Sequence, residues 1–345
     1  MTFGGAPLQA QTVTIAGIAD AAARQVSNTG GSSVKSLVSG SNSTSRIIIR
    51  GVEDLGSGLS AGFHLEHGIL LDAGAAVSAT QFWDRRSTVS VNSDAWGELR
   101  LGRDYVPSYL NWSRYDPFSY VGVAGSNNLV SATPSGPIRS AFSTSPNTTV
   151  RSSNSIQWLL PPGWAGIEGG VMVAAGEGGT AANGQHKVIG ARLGWASKSF
   201  GVSAASTHTE NNLTTSGKFK DNAIGGQADI GVLRLSAAYR VFDLAAAEQT
   251  NLLLGVTVPI GLGELKFSWV RADLDGQVGT TAIAANDAQQ WGVGYVYWLS
   301  KRSNLYATMA RIDNKGVAAF VIPGGSPITA GGKSTGAEIG MRHSF

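Results

Sequence analysis

Apolar residues alternate with polar or small ones along almost all of this 345-residue chain, and no apolar run approaches the ~18 residues a membrane-spanning helix requires. In Ser45 to Asp54, Ile47 and Ile49 share one face and Arg46, Ile48 and Arg50 the other. Ala61, Phe63 and Leu65 alternate with Gly62, His64 and Glu66, and Leu99 and Leu101 with Glu98 and Arg100. Ile189, Ala191, Leu193 and Trp195 alternate with Gly190, Arg192 and Gly194; Trp291, Val293, Tyr295 and Tyr297 alternate with Gly292, Gly294 and Val296. A period of two residues is the mark of a strand with two unlike faces. Short turns such as Gly56-Ser57-Gly58, Pro161-Pro162-Gly163 and Gly261-Leu262-Gly263 alternate with longer polar loops, giving about sixteen strands. The apolar parity recurs on nearly every strand, and Trp, Tyr and Phe gather at strand ends, as expected for an outward lipid band flanked by aromatic girdles. A bilayer cannot satisfy a sheet edge, so the strands must close on themselves. The expected fold is all-β: a 16-stranded antiparallel transmembrane β-barrel, wide enough to leave an aqueous channel.

Composition narrows the chemistry. The absence of cysteine removes disulfides, thiolate metal sites and cysteine nucleophiles together. A net charge of +3 is too small to argue for nucleic acid, and no Lys/Arg run is interleaved with aromatics. His64, His67, His186, His208 and His343 lie beside no recognisable nucleophile motif, so an outer-membrane hydrolase is the weaker reading. The glycine-rich stretch from Gly176 to Lys187 lacks the Gly-Lys-Ser/Thr ending of a phosphate loop and reads as an extracellular loop. Neither a metal site nor a cofactor is expected. Residues 1–10 end in Leu-Gln-Ala, like the tail of a secretory signal peptide, although the basic and apolar regions of such a peptide are missing. The mature barrel is expected to span 11–345.

One stretch breaks the pattern. From Asp104 to Arg151 there is no sustained period, prolines stand at 107, 117, 134, 137 and 146, and Tyr105, Tyr109, Trp112, Tyr115, Phe118 and Tyr120 carry too much aromatic surface to be left in water. Loops longer than about 12–15 residues are usually functional or disordered. Inside a wide barrel, a packed loop over about 104–150 would fold inward and narrow the channel.

Several segments resemble the general porins of Gram-negative bacteria, especially the β-proteobacterial type. SRIIIRGVEDLGSGLSAGFHLEHG is similar to that family's second and third strands, DAWGELRLGR to the strand leading into the constriction loop, and RSSNSIQWLLPPGWAG to the strand and proline turn after it. YVYWLSKRSNLYATMARIDN and the terminal GMRHSF extend the resemblance over essentially the whole mature chain. Ile48 stands where the family usually has glycine, and Trp158 and Trp164 where it has tyrosine and phenylalanine. The loop departs most, so the family's loop residues are not carried over. The resemblance implies an outer-membrane diffusion channel for small hydrophilic solutes and inorganic anions, assembled as a homotrimer among outer-membrane lipid and lipopolysaccharide.

Charged rings in a pore govern which ions enter. Lumen parity supplies Arg46, Arg50, Arg100, Arg192, Arg234 and Arg240, with Arg103 and Arg151 at the base of the loop and Arg85 and Arg86 on the fourth strand. The resemblance places an arginine cluster on this wall, where Arg46, Arg85 and Arg151 match best. The loop offers only Asp104 and Asp116 as acids, against Arg114 and Arg139. The balance is positive, and anions are the expected preference. Two alternatives stay open: arginines merely paired with Glu53, Asp54, Glu66 and Glu98, and a substrate-specific channel or adhesin built on the long loops.

Overall fold

The computed structural model describes residues 12–130, 135–143 and 149–345; the expected signal-peptide tail lies outside the described residues. Sixteen barrel strands follow one another. They are β1 (Thr12–Asn28), β2 (Val34–Ser39 continued by Arg46–Gly56), β3 (Leu59–Leu70), β4 (Arg86–Ser93), β5 (Gly97–Tyr105), β6 (Arg151–Leu159), β7 (Ile167–Ala174) and β8 (Lys187–Ala196). Then come β9 (Phe200–Glu210), β10 (Phe219–Asp229), β11 (Arg234–Leu244), β12 (Ala247–Ile260), β13 (Gly263–Val278), β14 (Ala288–Trp298), β15 (Ser303–Asn314) and β16 (Lys333–Ser344). Each pairs antiparallel with the next, and β16 returns to β1, with Ile18 opposite Ser344 and Asn28 opposite Ser334. The sheet therefore has no edge.

The polar segment from Asn28 to Ser43 contains the first half of β2, because Val34–Ser39 pairs with Ala21–Val26 of β1. The break in β2 is held by Asp20, whose carboxylate accepts the backbone N–H groups of Ser41 (3.2 Å), Asn42 (3.0 Å) and Ser43 (2.7 Å). The fourth strand, expected to carry both Arg85 and Arg86, begins only at Arg86, so Arg85 stands just before β4, not within it.

The outer face is apolar and bare. Ile15 is 69% exposed, Ile339 65% and Leu193 62%. Such a belt would be a liability in water and is what hydrocarbon requires. Near the short turns the girdle residues keep a polar handle: the indole N–H groups of Trp158 and Trp195 donate to the carbonyls of Trp96 (2.8 Å) and Ala165 (3.0 Å).

The insertion after β5 is folded into two short helices, α1 (Pro107–Ser113) and α2 (Pro137–Phe142), with a 3₁₀ turn at Ser126–Leu129 between them. Both helices start on a proline, whose missing N–H costs nothing in a first turn. No helical period was legible here because each helix is only about two turns or less. The loop lies on the inner face of β8 to β16 and buries Trp112, Tyr115, Leu129, Ile138 and Phe142. Glycines make the space. A Cβ at Gly225 would stand 2.3 Å from the Tyr115 ring, one at Gly255 2.5 Å from Pro117, and one at Gly292 2.6 Å from Ala124. Gly225→Val is expected to push Tyr115 off the wall. Single-channel recording should then show a noisier, altered conductance with the barrel still folded, and an unchanged trace would mean the glycine track does not seat the loop.

Candidate pore constriction

With the loop occupying the β8 to β16 side, the open path runs along the wall formed by β2 to β6. That wall carries the arginines. Lumen parity on β2 presents Arg46 and Arg50, on β5 Arg100 and Asp104, and on β3 His64 and Glu66, since antiparallel partners such as Arg50 and His64 face the same side. At the loop's root Arg85, Arg86 and Arg151 join them.

Two linked clusters form. In the first, Glu66 is approached by Arg46 Nε at 3.2 Å, by His64 Nε2 at 3.6 Å, and by Arg85 Nε in a short hydrogen bond. The Tyr105 hydroxyl then accepts from Arg85 Nη2 and from Arg151 Nη2, each at 2.9 Å, and the Arg151 guanidinium lies 4.4 Å from the Tyr105 ring centre. Tyr105 stacks on Tyr109, which meets Tyr120 edge-on, so an aromatic column rooted in the loop backs the arginine pair. In the second, Arg100 binds Glu98 with two N–H groups (2.9 and 2.7 Å) and Asp104 with a third (2.7 Å), while Arg86 Nε sits 3.3 Å from Asp104. Arg86 also lies 3.3 Å from His64 Nδ1, which ties the clusters together. Arg50 is exposed to the lumen and makes no hydrogen bond or ion pair among the described residues.

The sequence-predicted set thus divides. Arg46, Arg50, Arg85, Arg86, Arg100, Arg151 and Asp104 are brought onto one wall. Arg103 is not part of the lumen array: a bulge at β5 turns it to the Asp84 carbonyl, which receives its Nε and Nη2 at 2.8 Å, and to Ser153. Asp116 does not face the pore either. It is buried and accepts the N–H groups of Phe118, Tyr120 and Ser126 within the loop. Burial pushes its carboxyl above the ordinary range, while those hydrogen bonds pull it down. Arg240, expected in the lumen, is fully buried under the loop and paired with Asp221 at 2.7 Å. Arg192 shares the Glu168 carboxylate with Arg114, and Arg234 is exposed beside Asp229. The place of Tyr105 between Arg85 and Arg151 was not legible in the sequence, since a tyrosine in an aromatic run carries no signal of the two arginines it will meet.

A closed barrel with an inward loop narrowing one path is the architecture of a diffusion pore. A family model described as Gram-negative porin matches residues 1–317. The chain belongs to the Gram-negative porin family. This porin is 32% identical to outer membrane porin protein 32 of Delftia acidovorans, over 100% of this chain and 97% of that protein. It superposes on the anion-selective porin from Comamonas acidovorans with a TM-score of 0.82 at 30% identity, covering 97% of this chain and 100% of the other. OmpT of Vibrio cholerae in a trimer form shares the fold at 12% identity, with a TM-score of 0.65 over 98% of this chain and 100% of OmpT. The porin is an outer-membrane protein forming a water-filled channel. The relatives are channels, and what distinguishes one porin from another is the charge and shape of its narrow zone.

Proposed function

We propose that this porin passes small hydrophilic solutes with a preference for anions, and that Arg46, Arg50, Arg85, Arg86, Arg100 and Arg151 set that preference while the loop sets the width. One observation carries the reading. In and beside the two clusters six guanidinium groups meet three carboxylates, Glu66, Glu98 and Asp104, and the loop brings no free carboxylate to face them, its only other acid being the buried Asp116. A low-dielectric cleft lined by an excess of one charge focuses its field and raises the local concentration of counter-ions. The anion-selective relative supports the same sign. In a planar bilayer holding a potassium chloride gradient, the reversal potential is expected to report chloride passing more readily than potassium; the opposite sign overturns the proposal.

A homotrimer with one pore per chain accompanies this reading. The outward face of β1 carries Ala19, Ala21 and Ala23 in place of large apolar residues, and small residues let two backbones approach closely. The rest of the belt is left to outer-membrane lipid and lipopolysaccharide.

A further inference from the structure

Just inside the narrow zone, towards the short-turn end of the barrel, a cavity of ≈ 800 Å³ reaches from β2 and β3 across to α1. Its two sides are unlike. On the loop side stand Pro107 and Leu110, and Leu110 is 39% exposed, with its apolar side chain turned to the water path. Val52 and Leu159 continue that apolar surface on the wall. The charged groups at its rim are Glu98, Glu168 and Arg192. Both acids are already engaged: Glu98 by two N–H groups of Arg100, and Glu168 by Arg114 and Arg192, one carboxylate between two guanidiniums. Arg192 Nε is buried without a partner, and Arg50 stands free two residues from Val52 on the same face of β2.

A chloride ion uses only one side of such a space. We infer that the channel favours organic carboxylates with a compact apolar body, of the size and kind of benzoate. The carboxylate is drawn to the guanidiniums of the wall, and the body slides over Leu110, Pro107 and Leu159. Mostly apolar cavities with a few convergent polar groups are where small amphiphilic molecules bind, and a cavity of this volume is of the usual size. The inference deepens the anion preference proposed above and rests on it: without the positive wall the carboxylate has no reason to enter.

The test compares two ring-bearing monoanions in planar bilayers, benzoate with an apolar ring and glucuronate with a hydroxylated one. Bi-ionic reversal potentials against chloride are expected to give benzoate the higher relative permeability. Leu110→Ser, a change at an exposed side chain, is expected to lower the benzoate-to-glucuronate ratio about threefold, since the ring then loses a few tens of Å² of apolar contact. The chloride-to-potassium ratio should not move, because no charge has changed. Equal permeability of the two anions in the parent, or a ratio untouched by Leu110→Ser, overturns the inference while leaving anion preference standing. A chloride-to-potassium ratio at or below one in the parent overturns the anion preference itself, and the inference with it.

Discussion

Replacing Arg46, Arg85 and Arg151 together by glutamine is expected to abolish most of the preference for anions. The charges left in and beside the two clusters would be Arg50, Arg86 and Arg100 against Glu66, Glu98 and Asp104, an even balance in place of an excess of cations. Glu66 matters most to the outcome. In the parent it is neutralised by Arg46 and Arg85, and in the variant it is left with His64 alone. Glutamine removes the charge while keeping part of the stem and an N–H donor, and Tyr105 is stacked on Tyr109, so the aromatic column should stay in place. The reversal potential in a salt gradient should therefore move close to zero, with a smaller change in conductance at high salt, where exposed charges are screened within a few Å. A variant as anion-selective as its parent would show that the field arises elsewhere in the channel.

Breaking the ion pair beneath the loop should have the largest effect on stability. Asp221 accepts Arg240 Nε at 2.8 Å and Nη2 at 2.7 Å, and also takes the Ser108 hydroxyl at 2.6 Å, so a single carboxylate fastens α1 to the wall. The Arg240 side chain is 0% exposed and packs 4.6 Å from the Phe242 ring centre. Asp221→Ala leaves that guanidinium buried with no counter-charge, a change that typically costs about 3–5 kcal/mol. We expect the folded barrel to melt at a markedly lower temperature, read from the loss of β-sheet circular dichroism, and the open channel to flicker as the loop detaches. The double variant Asp221→Asn with Arg240→Gln removes both charges and should recover much of the melting temperature. If Asp221→Ala melts with the parent and conducts quietly, the pair is not what holds the loop.

How much of this was legible before the structure follows from what each feature depends on. The alternation of Ile47 and Ile49 with Arg46 and Arg50 is a local property of the chain, and it predicts which side chain meets lipid and which meets water without any knowledge of the neighbouring strand. The same holds for the aromatic girdle and the inward direction of the loop, since fifty residues rich in Trp, Tyr and Phe need a surface to pack on. Parity or position alone put Arg46, Arg50, Arg100 and Arg151 on the wall where the structure has them. Parity failed for Arg240, whose strand faces inward as expected but whose side chain the loop then covers. Arg103 was expected at the base of the loop by position, yet beside a bulge between Gly102 and Asp104 its side chain turns to the Asp84 carbonyl and Ser153. Asp116 looked like a pore acid, yet its carboxylate is consumed by three N–H groups of its own loop.

The sequence by itself determined the barrel, its sidedness and the excess of arginine over acid around the insertion, because period, composition and charge are additive along a chain. Only the tertiary structure decided which arginines remain in the water path. That choice depends on where the loop lies, and the loop lies where a track of glycines on β8 to β16 leaves room for Tyr115, Pro117 and Ala124. Packing is a property of two surfaces meeting, and strands more than a hundred residues beyond the loop in sequence supply much of the second surface.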